Sequence, residues 1–261
     1  MMQTAPNANL VRTVTWGAIS LAAGALVWQL AAEAARNVLF PSPLQTIESF
    51  GAMVRSGDWL VHVAASMQRV FWGWTFGGVL GVILGLAMGS FAPVRWFFEP
   101  MVQFLRFIPA IAWITPFTIW AGVGETSKFL LICYGSTFMV MLNVMAGVYA
   151  VGQNKVRAAR CFGATTGQVF FLVTLPATVP YIVTGLRVSL GNAFMMLISA
   201  EMLAAQHGLG FLIFHSRVYF ATDLIFVGIL TLGLLGLAGD TAIRWLSARV
   251  LRRYLFLGIR R

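Results

Sequence analysis

The sequence predicts an all-α polytopic membrane protein with six transmembrane helices, and two observations carry that expectation. Hydrophobic residues make up 59% of the chain and charged residues 10%, with a mean hydropathy of +0.82, too apolar for a domain with a water-facing surface. The apolar residues are gathered into runs of about 20, the length that crosses a bilayer as helix, and the basic residues sit in the stretches between and beside those runs.

Residues 1–15 read as polar and irregular, and an apolar run from about Trp16 to Ala32 forms the first span. Arg12 flanks that run as in a secretory signal, but the run is long for a signal's apolar core, which favours an uncleaved span. Pro41-Ser42-Pro43 then opens a shorter helix. Ser42 and Gln45 make a capping box, Pro43 takes the first helical position, Leu44, Ile47, Phe50 and Val54 line one apolar stripe, and Gly57 ends it. Too short to span, this helix is expected on the membrane surface or against neighbouring helices, on the far side from the polar loop at 151–178.

The second span runs from about Met67 to Gly89, with Gly77, Gly81, Gly85 and Gly89 on one face where another backbone can approach closely. Phe91 to Arg95 makes a turn, and the third span covers about Phe97 to Ala121, where Pro109 and Pro116 predict kinks or a break. Gly122 to Lys128 reads as a tight outer loop before the fourth span, about Phe129 to Ala150, in which Asn143 is the one strong hydrogen-bonding side chain. The fifth span covers about Val179 to Leu203, and Gln206 to Gly210 leads into a loop reaching Thr222. Asp223 is placed to cap the sixth span, Leu224 to about Leu246, whose inner end pairs Asp240 with Arg244 one turn on. The organisation is therefore a cytoplasmic N-terminal segment 1–15, a transmembrane domain 16–246 and a basic cytoplasmic tail 247–261.

Six spans put both termini on one side with the 91–96 and 151–178 loops. That side carries Arg12, Arg95, Lys155, Arg157, Arg160, Arg244, Arg249, Arg252, Arg253, Arg260 and Arg261, against Arg36, Arg55, Lys128 and Arg217 on the other, so the positive-inside rule puts both termini in the cytoplasm. Topology thus accounts for the net charge of +10, and no nucleic-acid partner is expected. His62, His207 and His215 are too scattered for a metal site. Cys133, inside a span, and Cys161, in the polar loop and read as a small buried residue, form no disulfide framework. Clustered His, Asp, Glu or Cys at catalytic spacing is absent from the sequence, which argues against a membrane-embedded enzyme.

The polar loop carries the most specific signal. Asn154 is placed to cap a short helix with Val156, Ala159 and Phe162 at helical spacing, and Gly163 follows as a left-handed stop. Arg157-Ala158-Ala159, three residues, Gly163, nine residues, then Val173-x-Leu175-Pro176 resembles the EAA loop of bacterial ABC importer permeases, E-A-A-x3-G-x9-I-x-L-P. Arg157 stands where that pattern has Glu, and Val173 where it has Ile. An ordered series over about residues 39–245 looks like the nitrate, sulfonate and taurine branch: Leu39 to Pro43, His62, Ser66 and Arg69-Val70, Leu105-Arg106-x-Ile108-Pro109, Gly122 to Glu125, Gly185-Leu186-Arg187, Ala200-Glu201-Met202 and Gly208-Leu209-Gly210. Ile111, Thr115 and Ala121 depart from that branch.

The resemblance implies the translocation subunit of an ATP-driven importer in a bacterial inner membrane. It would work as a pair with a second copy of itself, with a periplasmic or extracellular solute-binding protein outside and two ABC ATPase subunits inside. Arg157, Ala158, Ala159, Gly163, Leu175 and Pro176 are then the ATPase-coupling residues. No G-x-x-x-x-G-K-[ST] loop occurs in the sequence, so ATP and Mg are expected on the ATPase and no cofactor on this chain. The implied solute is a small anion such as a sulfonate, taurine or nitrate, with an aromatic acid or a thiamine-precursor-like compound as the alternative within the same machinery. An ion-gradient-driven secondary transporter is the rival outside it, and would usually show an internal repeat or broken helices with paired ionisable groups at midplane; the two halves of the sequence show no convincing repeat.

Ionisable groups in a span demand a partner or a wet cavity, which singles out Arg69, Arg106, Arg187 and Glu201. Arg106, Arg187 and Glu201, with Asn143 and Asn192, are the candidates for the translocation path. Arg187 and Glu201 lie about 21 Å apart along one helix at 1.5 Å per residue, so each must find its partner on another span.

Overall fold

In lipid the backbone must satisfy its own hydrogen bonds, so apolar runs of this length have little choice but helix. The computed structural model describes residues 6–35 and 39–251, and all its regular elements there are helical. In chain order these are α1 (Pro6–Ala35), α2 (Pro43–Ser56), α3 (Asp58–Ser90), α4 (Ala92–Leu105), a 3-10 turn (Ala110–Trp113), α5 (Ile114–Ala121), α6 (Glu125–Tyr149), α7 (Gln153–Cys161), α8 (Thr166–Val169), a π segment (Phe170–Thr174), α9 (Leu175–Ala204), α10 (Leu209–Val218) and α11 (Thr222–Val250). Among the described residues, five helices are long and apolar enough to cross a membrane, and α4 with α5 makes a sixth if the bent pair counts as one span. The chain divides into two compact units, residues 1–60 with 212–229, and residues 61–211 with 230–261.

In the first unit α1 is already helical from Pro6, so residues 6–15 are not the irregular segment their polarity suggests; residues 1–5 lie outside the described part. Helix α2 has the predicted ends. Ser42 and Gln45 cap each other's backbone N–H groups, Pro43 opens the first turn, and Gly57 closes the helix at φ +85°. Of the two placements open for it, its burial fits the membrane surface for the apolar stripe: Leu44, Ile47, Phe50 and Val54 are exposed, whereas Thr46 and Met53 are buried. A lipid-facing helix has no reason to hide its apolar stripe, so it turns that stripe outward and packs on its smaller and polar side. Met53 joins Leu212 and Val227, and Trp28 stacks on Phe226 while its indole N–H donates to the Pro41 carbonyl at 3.0 Å. Asp223 does not cap α11, which begins at Thr222. It lies in the first turn and accepts the Ser49 hydroxyl instead.

In the second unit the glycine face of α3 meets α6. A methyl group at Gly81 would lie 2.7 Å from the Thr137 carbonyl and from Val140 Cβ, and Gly85 and Gly89 sit equally close to Val144 and Val148. Gly73, about two turns before Gly81, extends the same contact against Ile132. On its other side α6 packs along α9, with Gly147 against Tyr181 and Gly185 against Asn143. Apolar residues pack between these helices, Met88, Val102, Met141 and Met145 among α3, α4 and α6, and Ile114, Leu131 and Ala200 among α5, α6 and α9.

The third span is broken, with α4 and the following helical segment bent by 93°. The break falls at residues 106–109. Pro109 disfavours helix for its predecessor and offers no N–H of its own, and the Tyr134 hydroxyl donates to the Leu105 carbonyl at 3.4 Å beside the break. Pro116 causes no kink, because it falls in the first turn of α5, where helical N–H groups have no partner within the helix. The fourth span begins four residues earlier than its hydropathy suggests, at Glu125, so Lys128 is not in a loop but is a buried helical residue. The fifth span likewise begins early. The capping box of Thr165 and Gln168 starts a helix that runs through the π segment into α9, leaving α7 and a short turn as the non-spanning part of 151–178.

Candidate functional site

Two sites stand at opposite ends of the second unit, since α6 leads into α7 at one end while its first turn lies with the last turn of α9 at the other. At the α7 end the helix is capped by Gly152, and Asn154 lies inside its first turn, not at its cap. Gly163 has φ +80°, and the chain leaves α7 through a Schellman closure: the Ala164 N–H donates to the Ala159 carbonyl at 3.1 Å and the Gly163 N–H to the Arg160 carbonyl at 2.9 Å. Val156 and Ala159 are half-buried, and Arg157, Ala158 and Arg160 are exposed. Cys161 is exposed, contrary to its expected burial, and Phe162 is 92% exposed. Leu175 and Pro176 stand apart from α7, half-buried in the first turn of α9 just after the π segment. Proline has no N–H to continue the ladder, which explains wider turns immediately before it.

At the other end, residues scattered along the sequence converge. His62, Ser66 and Arg69 occupy one face of α3 at successive turns, and all three address Glu201 or the turn that follows it. Glu201 is fully enclosed. Its carboxylate accepts hydrogen bonds from Arg69 Nη1 at 2.7 Å, from the Gly210 N–H at 2.8 Å and from the Ser66 hydroxyl at 2.8 Å. The same hydroxyl accepts the Leu209 N–H at 2.8 Å, and His62 Nδ1 accepts the Gly208 N–H at 3.0 Å. Three consecutive N–H groups at the start of α10 thus find their acceptors on α3 and α9, where a helix ordinarily relies on its own cap. Gly208 has φ +138°, and a methyl group there would overlap the Glu201 carboxylate.

Arg69 extends the network outward. It donates to the His207 carbonyl at 2.6 Å and grips Glu125 through two parallel bonds of 2.7 and 2.8 Å, while Lys128 Nζ reaches the same carboxylate at 2.8 Å. Arg69, Lys128 and Glu201 are largely enclosed and Glu125 opens to the surface, so two cations meet two carboxylates at no net charge, which offsets the main cost of placing them in an apolar bundle. Beside them lies a cavity of about 520 Å³ lined by Gln68, Arg69, Trp72, Phe76, Glu125 and Phe129.

The remaining candidates are dispersed. Arg187 grips Asp240 of α11 at 2.7 and 3.2 Å, and Asp240 also holds Arg244 at 3.2 Å. Glu201 and Arg187 thus each find a partner on another span. Arg106 is exposed at the break after α4, its guanidinium 4.9 Å from the Phe107 ring centre. Asn143 donates to the Met139 carbonyl one turn back at 2.8 Å, and Asn192 is half-buried opposite Gly135. The structure does not bring Arg106, Asn143, Arg187, Asn192 and Glu201 into one site, and Glu201, with no exposed surface, lines no open path in this conformation. Sequence reasoning missed Glu125 and Lys128 because they fall where hydropathy puts a loop. The available signal was the spacing of Glu125 and Lys128, three apart, together with an arginine in α3 that needed a carboxylate.

Comparisons with known proteins agree on the class. Residues 77–252 match the family described as binding-protein-dependent transport system inner membrane component. The chain is 33% identical to the taurine transport system permease protein TauC of Escherichia coli over 248 residues, covering 92% of this chain and 90% of that protein. It is 32% identical to the putative aliphatic sulfonates transport permease protein SsuC of Bacillus subtilis, covering 82% and 78%, and 28% identical to the nitrate import permease protein NrtB of Synechocystis, covering 89% and 88%. Among solved structures, an inward-facing MetNI methionine ABC transporter superposes with a TM-score of 0.62 at 19% identity over 75% of this chain and 96% of its own. A bacterial alginate ABC transporter with its pentasaccharide-bound periplasmic protein gives 0.62 at 16% over 94% of both. The chain belongs to the binding-protein-dependent transport system inner membrane component family, the membrane-spanning permease subunits of ABC importers.

Proposed function

We propose that two copies of this chain form the path for a small anion, of the sulfonate, taurine or nitrate class. The observation that carries the solute class is that permeases named for taurine, aliphatic sulfonates and nitrate are similar to this chain along most of its length. Those solutes share a compact group of oxygens around sulfur or nitrogen. In this reading α7 docks on a separate ATPase that holds ATP and Mg, both termini lie on the same cytoplasmic side, and a solute-binding protein docks at the opposite end, near the Arg69–Glu125–Glu201 network. Arg157, Ala158, Ala159 and Gly163 transmit the ATPase movement, with Leu175 and Pro176 at the entry to α9. A single α7 per chain and two ATPase subunits per engine favour the pair, and Arg106, Asn143 and Asn192 remain the candidates for contact with solute.

The complex reconstituted with its ATPase and binding protein should show ATPase stimulation by sulfonates or nitrate, and native mass spectrometry should count two copies of this chain. Stimulation only by compounds that carry no sulfonate, nitrate or similar oxyanion group overturns the solute assignment, and one copy beside a different permease overturns the pair. Gly163→Val tests the docking geometry. At φ +80° a β-branched residue is strained, so the closure of α7 should be lost and solute-stimulated ATPase activity should fall about tenfold while the spans still assemble. Normal stimulation by that variant rules the geometry out.

A further inference from the structure

The face of α7 that projects from the bundle has an unusual charge for the loop it resembles. From Val151 to Pro176 the chain carries Lys155, Arg157 and Arg160 and no Asp or Glu. All three cations are exposed. Half-buried Val156 and Ala159 mark the side of α7 turned toward its own chain, so the opposite side presents Arg157 and Ala158, with exposed Cys161 one turn beyond Arg157. The Schellman closure at Gly163 holds the end of that surface in one shape, with Phe162 standing 92% exposed beside it. This is a rigid, small-residue knob ringed by positive charge, with an arginine at its centre where the resembled pattern has a carboxylate.

We propose that the surface on the ATPase that receives α7 is acidic, with a carboxylate placed to meet Arg157 and further carboxylates near Lys155 and Arg160. The proposal rests on the reading of α7 as the ATPase-docking helix and adds the chemistry of its partner. Guanidinium pairs with carboxylate through two parallel bonds, which fixes orientation as well as contact, and like charge at the centre of a docking site is strongly disfavoured. An ATPase whose groove is basic at this point, suited to a glutamate, would therefore reject this chain. Charge at position 157 then acts as a selector between permease and ATPase partners.

Two chemical handles make the test direct. The chain has two lysines, of which Lys128 is buried and Lys155 exposed, and two cysteines, of which Cys133 is buried and Cys161 exposed. In the complex of the full chain with its ATPase, carbodiimide should form an amide between Lys155 Nζ and an Asp or Glu of the ATPase, with loss of one water, and peptide mass spectrometry should locate it. Lys155→Arg should remove that cross-link and keep assembly. The ATPase should shield Cys161 from maleimide. Arg157→Glu should weaken that shielding about tenfold or more, Arg157→Lys should preserve most of it, and reversing the mapped carboxylate to lysine should rescue Arg157→Glu. Cys161 shielded equally in wild type and Arg157→Glu overturns the acidic groove and leaves docking intact. No shielding by the ATPase overturns docking and the proposal together, and shielding by vesicles of anionic lipid alone assigns the basic face to the membrane and overturns it as well.

Discussion

Glu201→Ala is expected to be among the most destabilising single substitutions in this chain. The side chain is fully enclosed, and its removal takes the carboxylate acceptor away from Arg69, the Ser66 hydroxyl and the Gly210 N–H. Breaking a buried, hydrogen-bonded ion pair from one side costs about 3–5 kcal/mol, a large share of the roughly 5–15 kcal/mol that holds a domain folded. The midpoint of thermal unfolding in detergent should fall by roughly 10 °C. Charge and shape can be separated by comparison: Glu201→Gln keeps the volume and two acceptor directions, and should lie between wild type and alanine. Replacing both Glu201 and Arg69 with methionine should cost less than the sum of the two single changes, because no charge is left uncompensated and the partly exposed Glu125 retains Lys128. Additive losses in that cycle, or a Glu201→Ala protein that melts with wild type, are incompatible with a fastening role. Glu125→Gln should be much milder, since that carboxylate is 64% exposed and solvent screens it.

Gly81→Val should separate α3 from α6 and abolish assembly of an active transporter. The first added carbon would sit 2.7 Å from the Thr137 carbonyl oxygen, part of the α6 backbone, and as close to Val140 Cβ. Neither atom is the movable tip of a flexible side chain. The helices must move apart, and the loss extends to the contacts at Gly77 and Gly85 one turn away on each side. In a membrane, close packing is a principal force between helices, since lipid tails are as apolar as the side chains they replace. Size-exclusion profiles of the fluorescently tagged variant should show aggregated or degraded protein, whereas Gly51→Val, at a position with open space around it, should run as wild type. A monodisperse, active Gly81→Val protein removes the close-packed α3–α6 contact from the account.

The sequence by itself determined the elements and several of their ends. Long apolar runs can only be helices in lipid, the four glycines spaced by four can only lie on one face, and Ser42 with Gln45, Gly57 and Gly163 adopt the caps and stops their local chemistry favours. These features depend on residues within a turn or two of each other, so short-range rules suffice. Class was legible for the same reason, since the spacing from Arg157 to Pro176 lies within one stretch of chain. Tertiary structure decided what depends on distant partners. Hydropathy placed Glu125 and Lys128 in a loop because it counts charge as exposure, yet Arg69 from α3 neutralises Glu125 and lets α6 start four residues earlier. The same limit left the placement of the α2 stripe open, because a pattern of apolar residues does not say whether lipid or protein will cover them. Glu201 and Arg187 could be recognised as needing partners on other spans, since a buried charge is costly wherever it lies. That the partners are Arg69 and Asp240, and that Ser66, His62 and Glu201 jointly receive the first N–H groups of α10, follows from which helices pack together, and hydrogen bonds over such separations leave no period in the sequence.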